Sequence, residues 1–279
     1  MNNIISNFNQ ILTFAQSYGL PIEKKRGILR EYLQSLFISR LYALPDSQKL
    51  SFVGGTSLRL LRGLPRFSED LDFDNLGLSN QRIAELINEV VSSLQRENIE
   101  TELNAYNKDS RTYFTVKFPH LLFDLRVSTN SKEKVSIKVD YAEWWHDQET
   151  ETIFLNRFGF FEQIVTNTLG CLLVQKVAAY LNRKETQPRD LYDLVWLFTQ
   201  QAHYNQQFAI RNNLSDLPLK ALAKFEYEGV SEKMKKKLAP FLFNDSELNK
   251  LGKAGEVLKY LVDILPVADW RPKIEMTNK

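Results

Sequence analysis

One cysteine, three histidines and no long apolar run are the first limits this sequence sets. The lone Cys171 cannot close an internal disulfide, and its place in the apolar run "LGCLLV" reads as core packing. His120, His146 and His203 are not paired at metal-ligand spacing and there is no CxxC, which argues against a zinc site. A G-x-S-x-G elbow is missing as well, so a Ser-His-Asp hydrolase is poorly supported. No stretch approaches the roughly 18 apolar residues of a membrane span. The N-terminal "MNNIISNFNQIL" has no basic region followed by a long apolar one. The expectation is a cytoplasmic protein without a signal peptide or a membrane partner. Neither charge sign dominates: the net charge is +2, so a nucleic-acid surface would have to be a local patch. There is no internal repeat and no low-complexity linker.

What is present is the balance of a soluble globular protein, with 43% apolar and 25% charged residues over a length that allows a real core and two lobes. Apolar residues at helical spacing predict helices over residues 6–18 and 22–43. A short strand follows in "LSFVGG", then a helix in "TSLRLLRGL" with Thr56 at or near its N-cap. "SEDLDFD" alternates as a strand does, and residues 80–97 form another helix. Residues 100–106, 112–118 and 135–141 alternate, the last as Val135, Ile137 and Val139 against Ser136, Lys138 and Asp140, which predicts a half-buried sheet. From Thr168 onward the pattern is helical, over about 168–183, 190–201, 205–213, 216–228 and 246–265. The fold class expected is α+β. Residues 1–165 would hold a mixed sheet flanked by helices, and residues 166–279 an all-helical domain.

The chemistry concentrates in "FVGGTSLRLLRGLPRFSEDLDFDN", residues 52–75. Asp70 and Asp72 are two apart in a strand, so they project together while Leu71 and Phe73 face the core. Two carboxylates held that way repel each other, and a bound cation relieves the strain. Magnesium suits them, since it binds carboxylate oxygens and is completed by substrate phosphates. Gly54 and Gly55 permit close backbone approach, and the start of the next helix offers N–H groups to a phosphate. Asp140, on the polar face of its strand, is the best candidate for a third acid. Asp124 in "LLFDLRV" is a weaker one.

Farther on, "LLVQKVAAYLNRKETQPRDLYDLVWL" sets Lys176 and Arg183 two turns apart on one helix face. Asp190 and Asp193 share a face at i, i+3 after the break at Pro188. Asp190 could instead cap its helix and pair with Arg183 or Arg189, and Lys176 could be a lysine snorkelling at a helix edge. The strongest basic run, "SEKMKKKLAP", would suit a nucleic-acid backbone, although a solvated helix face is its more usual meaning.

Strand, Gly-Gly-Thr, helix and then the Asp-Leu-Asp-Phe strand, in that order, resemble the nucleotidyltransferase superfamily that includes DNA polymerase beta. More closely, the GGT-x-L stretch followed by Arg66, Ser68, Asp70, Leu71, Asp72 and Phe73 resembles the AbiEii/AbiGii family of nucleotidyltransferase toxins. Lys176, Arg183, Lys184 and the segment Arg189-Asp190-Leu191-Tyr192-Asp193 resemble that family's downstream motif. The resemblance implies nucleotide binding by Gly54, Gly55, Thr56, Ser57, Arg66, Ser68, Lys176, Arg189 and Asp190. It implies catalysis by Asp70, Asp72, Asp140, Lys176 and Asp193. It further implies two Mg2+ ions, or Mn2+ in their place, on Asp70, Asp72 and Asp140, and an NTP substrate whose NMP is transferred to the tRNA 3′ end. A cognate antitoxin protein and a role in phage defence come with the family. Two alternatives keep parts of this reading: a protein or small molecule as acceptor, or a nucleotide- or RNA-binding regulator without catalysis.

Overall fold

The structure is a computed structural model that describes residues 3–108 and 111–265. Two compact units emerge. One runs to Thr168 and takes back Ala239–Glu247, and the other runs from Leu169 to Leu238 and resumes at Leu248. The first unit begins with the helices α1 (Asn3–Ser6), α2 (Phe8–Ser17) and α3 (Lys25–Tyr42). There follow β1 (Leu50–Val53), α4 (Gly54–Arg62), β2 (Leu71–Asn75), α5 (Asn80–Arg96), β3 (Glu102–Lys108) and β4 (Arg111–Phe118). The unit continues with α6 (Leu121–Asp124), β5 (Val135–Ala142), β6 (Thr150–Arg157) and β7 (Phe160–Asn167).

Five strands form one mixed sheet in the order β1-β2-β5-β4-β3. The β2–β5 pair is parallel and the other pairs are antiparallel. Alternation decides the faces. Val135, Ile137, Val139, Phe114, Val116, Phe118, Leu71 and Phe73 are buried on one side. They share a core with Leu33 and Phe37 of α3 and with Ile83, Leu86, Ile87 and Val90 of α5. The Ser79 hydroxyl caps α5 by accepting from the Arg82 amide. The opposite face carries Asp72, Asp140, Lys138 and Tyr113, so this sheet is apolar on one side only. The fold is the mixed α+β arrangement that the alternating segments predict.

Four local expectations are corrected. The hairpin of β6 and β7 was not anticipated. Its residues are mostly exposed or half-buried, so the apolar alternation that marks a strand is weak. Its turn is legible afterwards: Phe158 and Gly159 have φ of 52° and 82°, as a two-residue primed turn requires. The helix after β1 starts at Gly54 with Val53 at its N-cap, so Thr56 lies inside the first turn and not at the cap. Asp124, the weaker candidate for a third acid, sits in the single helical turn α6, off the sheet that carries the other acids. Residues 246–265 divide into a 3-10 segment, Asp245–Lys253, and a later helix, Ala254–Asp263.

The second unit contains α7 (Leu169–Asn182), α8 (Pro188–Thr199), α9 (Gln206–Arg211), α10 (Leu217–Glu228), α11 (Glu232–Leu238) and α12 (Ala254–Asp263). Its core includes Leu172, Leu173, Val177, Tyr180, Leu191, Leu194, Leu197, Leu258 and Leu261, and Cys171 is buried among them. Among the described residues no helix is long and apolar enough to cross a membrane.

One ion pair locks α3 to α4 within the first unit. Arg59 donates to both carboxylate oxygens of Glu31, at 2.9 and 3.1 Å, and to the Leu64 carbonyl, while its guanidinium lies 4.6 Å over the Phe243 ring. Both side chains are at most 4% exposed, so neither charge can fall back on water. Glu31→Ala should therefore lower unfolding free energy by about 3–5 kcal/mol, read from urea denaturation. A Glu31→Met/Arg59→Met double substitution should recover most of the loss, and additive losses in the double variant would refute the coupling.

Candidate active site

The site is built on the parallel pair. In the β2–β5 register Asp72 stands opposite Asp140, and β1 sets Val53 beside Asp72 on the other side. Asp70 lies one residue before β2, two before Asp72, and so at the same face. The polar face of β2 thus meets the polar face of β5 at its two aspartates. Farther along β2, Asp74 accepts from Asn167 Nδ2 at 2.7 Å, and Ser51 Oγ donates to Asn167 Oδ1 at 2.7 Å. That buried network ties β1, β2 and β7 together across residues that no spacing in the chain connects.

The β1–α4 junction comes up against these acids. Gly54 has φ of +77°, and a Cβ there would lie 2.3 Å from Asp72 Oδ2. Only glycine both adopts that conformation without strain and leaves the carboxylate its room. A Cβ on Gly55 would meet Arg66 Nη2 at 2.5 Å and Ser68 Oγ at 2.8 Å. The two glycines therefore bring the backbone of the first helical turn against Asp72 on one flank and Arg66 with Ser68 on the other. Thr56 Oγ1 donates to the Asp70 carbonyl, which fixes α4 to the entry of β2. Ser57 Oγ is buried and has no hydrogen-bond partner.

The loop that carries Arg66 and Ser68 is held from several directions. Gln34 Nε2 of α3 donates to the Ser68 and Glu69 carbonyls at 3.1 and 2.9 Å. Arg30 pairs with Glu69 at 2.9 Å. Arg66 is 1% exposed and donates through Nη1 to the Phe67 carbonyl. The returning segment Ala239–Glu247 closes the far side, where the Phe67 amide donates to Phe241 O, Arg66 bridges to Leu242, and the Phe67 and Phe243 rings meet at 4.8 Å.

Lys138, which sequence reasoning passed over, is the cation of this face that meets the acids. It donates to Asp140 Oδ2 at 2.7 Å, and its ammonium lies 4.5 Å over the Tyr113 ring. Burial opposes its charged form. The Asp140 hydrogen bond and the fields of Asp140, Asp70 and Asp72 outweigh that, and its pKa stands above the ordinary lysine value. All three carboxylates therefore act on one cation. Among the described residues no group of three or more His, Cys, Asp or Glu side chains forms a preformed metal cage. Magnesium does not need one, because it is commonly held by one or two carboxylates with substrate phosphates completing its shell. The oxygen donor set of Asp70, Asp72 and Asp140 fits such an ion. The signal for Lys138 was present in "VSIKVDY", where it sits two residues before Asp140 and so shares its face. Asp124 is exposed on α6, off the sheet.

The other candidates lie in the second unit. Lys176 on α7 pairs with Asp193 Oδ2 at 2.7 Å and stands 3.8 Å from Asp190 Oδ1. Arg183 reaches Asp190 Oδ2 at 2.6 Å. The Asp190 and Asp193 side chains are 2% and 0% exposed, and Lys176 is 11% exposed. Lys176 is thus an ion-paired, nearly buried lysine and not a snorkelling one. Asp190 is the third residue of α8, which begins at Pro188 after a Gln187 cap. Arg189 is half-buried beside it. The basic run is α11, where Lys235 pairs with Glu232 at 2.6 Å, and Lys233 and Lys237 each reach Glu185 at 3.6 Å. Those pairs are what a solvated helix face makes. A surface hollow of about 750 Å3 between α3 and α5, lined by Arg40, Glu85, Asn88, Glu89 and Arg96, includes none of the candidate residues.

Comparison with known proteins bears on this geometry. The family model for the nucleotidyl transferase AbiEii toxin of type IV toxin–antitoxin systems matches residues 36–252. Among solved structures, MenT4, a nucleotidyltransferase toxin of Mycobacterium tuberculosis H37Rv, is similar over 90% of this chain and 89% of its own, with 17% identity and a TM-score of 0.57. JHP933 of Helicobacter pylori is similar over 85% of this chain and 93% of its own, with 20% identity and a TM-score of 0.49. The likeness to MenT4 is one of fold. No curated protein matches the chain.

Asp193→Ala should strip Lys176 of its nearest counter-charge in a nearly dry position. The expected loss is about 3 kcal/mol or more, measured by urea denaturation followed through far-UV circular dichroism. A Lys176→Met/Asp193→Leu pair should regain much of it, and an undiminished midpoint for Asp193→Ala would remove the ion pair from the account of this unit.

Proposed function

The chain belongs to the AbiEii family of nucleotidyl transferase toxins of type IV toxin–antitoxin systems, and from that premise we propose a magnesium-dependent transfer of NMP from an NTP to the 3′ end of tRNA. The observation that carries the catalytic part is the Asp72–Asp140 pairing beside the close approach of Gly54. The tRNA acceptor and a role in phage defence rest on the family resemblance. So do action in the cytoplasm, where nucleotides and tRNA are found, and neutralisation by an antitoxin protein.

In this reading the triphosphate lies against the first turn of α4, with Gly54, Gly55, Thr56 and Ser57 presenting backbone and hydroxyl donors. Arg66 and Ser68 flank Gly55 and complete that cradle. The roles of Lys176, Arg189 and Asp190 toward the nucleotide rest on the family resemblance alone; within its own unit Lys176 pairs with Asp193 at 2.7 Å and stands 3.8 Å from Asp190. Asp70, Asp72 and Asp140 would hold two magnesium ions, or manganese in their place, which when bound supply charge neutralisation along the triphosphate and raise the nucleophilicity of the attacking hydroxyl. The acceptor oxygen forms a bond to the α-phosphorus, the bond to the bridging α–β oxygen breaks, and pyrophosphate leaves with that electron pair. Asp140, whose side chain is 31% exposed, takes the hydroxyl proton and returns it to solvent. Most of the rate enhancement in such a site is positioning and charge stabilisation.

The test is direct. Purified full-length chain is incubated with magnesium and each of the four NTPs, radiolabelled at the α-phosphate, with total cellular RNA and total cellular protein as parallel acceptors. Label should enter a tRNA-sized band from one or two of the nucleotides. Asp70→Ala and Asp72→Ala should each abolish it, by at least a hundredfold, while their melting curves stay within a degree or two of the parent, since removing one of two crowded carboxylates relieves repulsion. Label in protein would replace the acceptor and keep the site. Full transfer by either variant would end the two-metal assignment. Lys176→Ala should weaken NTP binding in equilibrium dialysis, and unchanged affinity would confine Lys176 to its structural pair.

A further inference from the structure

The transverse register continues past the acids. Asp72 pairs with Asp140, Asp140 with Tyr113, and Tyr113 with Tyr106, across β2, β5, β4 and β3. Residues in register on neighbouring strands project to the same face. One row therefore leads from the carboxylates to two aromatic rings on the open face of the sheet. Those rings are stacked on each other, with centroids 5.1 Å apart and planes 16° from parallel. Tyr106 is 41% exposed at the outermost strand, a large aromatic surface that the core does not use. Lys138 stands over the inner ring at 4.5 Å and donates to Asp140, joining the aromatic pair to the acids.

We propose that the outer face of Tyr106, backed by Tyr113 and Lys138, is the platform on which the unpaired 3′-terminal nucleoside of a nucleic-acid acceptor stacks. The proposal rests on the catalytic reading above and adds the residues that hold the acceptor and its direction of approach. Displacement at the α-phosphorus is in line, so the attacking hydroxyl arrives on the side opposite the departing pyrophosphate. The triphosphate cradle is at the β1–α4 junction, on the β1 side of Asp72. The acceptor must then approach from the β5 side, and the rings lie on that side beyond Asp140. Neighbouring strands are roughly 5 Å apart. Tyr113 is one such step and Tyr106 two steps from Asp140, the span a nucleoside covers from its ribose hydroxyl to its base. An exposed aromatic face, here Tyr106 backed by a second ring and a cation, is the means by which single-stranded nucleic acid is held without sequence preference. A peptide acceptor would gain little from a flat exposed ring.

The experiment uses the full chain, without NTP, and a single-stranded RNA oligonucleotide ending in 2-aminopurine, whose fluorescence is quenched on stacking. The parent protein should quench the probe. Tyr106→Ala and Tyr113→Ala should bind it roughly 5- to 150-fold more weakly and lose the quench, with Tyr113→Phe restoring most of what Tyr113→Ala loses. NTP affinity, measured separately, should not follow the ring substitutions. Equal RNA affinity and quench in the alanine variants would overturn the platform. Weakened NTP binding with RNA binding intact would assign the rings to the nucleotide's base and overturn it equally. Transfer to protein alone, indifferent to both alanine substitutions, would do so as well. Asp72→Ala separates the two readings: it should quench the probe yet transfer nothing. If Asp72→Ala transfers, the catalytic reading fails, and the quench experiment still decides whether the rings bind RNA.

Discussion

The parallel pairing of β2 with β5 is the constraint on which the rest of the first unit depends. A slip of β2 by one residue would turn Asp72 toward the core and bring Leu71 and Phe73 to the solvent face, away from Asp140. The hydrophobic core forbids that shift. Leu71, Phe73, Ile137 and Val139 are at most 2% exposed, and the Phe52 and Phe73 rings meet at 5.3 Å. The apolar residues that fold the sheet also fix, as a by-product, which carboxylates face each other on its other side. The polar juxtaposition is unfavourable by itself, and burial of the alternate residues holds it in place.

The same economy appears at the β1–α4 junction. A strand that ran into an ordinary loop would leave Asp72 surrounded by water. Here the chain turns into a helix at Gly54 without an intervening residue, and the missing side chains at Gly54 and Gly55 let backbone amides crowd a carboxylate on one side and a buried guanidinium on the other. Amides beside Asp72 raise the local positive potential, while Arg66 does the same from the far flank. Such a place is poor for an apolar ligand. The supports that Gln34, Thr56 and Phe241 give to the intervening loop keep Arg66 and Ser68 from drifting away from it.

Much of this was legible in the amino-acid sequence, for identifiable reasons. The alternation in "VSIKVDY" is strong because one face is fully buried, so the strand and the facing of Asp140 and Lys138 follow from it. The Gly-Gly-Thr and Asp-Leu-Asp-Phe stretches could be read because few other roles need those residue types in that order. The β6–β7 hairpin escaped notice because Leu155 is the one buried residue of β6, leaving almost no periodic signal. Thr56 was misplaced because threonine before a helical pattern usually caps it, whereas here its hydroxyl serves the Asp70 carbonyl. The return of Ala239–Glu247 to the first unit left no local trace, since its contacts are to Arg59, Pro65 and Phe67, far away along the chain. Long-range partners of that kind are set by tertiary packing, which no spacing rule records.

The charged residues of the second unit pose a different physical problem. Lys176, Arg183, Asp190 and Asp193 carry two positive and two negative charges, and three of the four are nearly or fully withdrawn from water. Neutral pairing makes such burial tolerable, but an apolar set of the same volume would serve stability as well or better. Stability alone therefore does not account for ionised groups there. A lysine fixed at 2.7 Å from Asp193 has one donor direction defined and two to spare. Its ammonium is held in one orientation, and little side-chain entropy is left to it. Arg183 acts on Asp190 in the same way, holding that carboxylate at 2.6 Å so that it does not turn to compete for Lys176, from which it stands 3.8 Å away. The pair arrangement thus reads as preorganisation of one cation, and the two aspartates and the arginine are the structure that orientation requires.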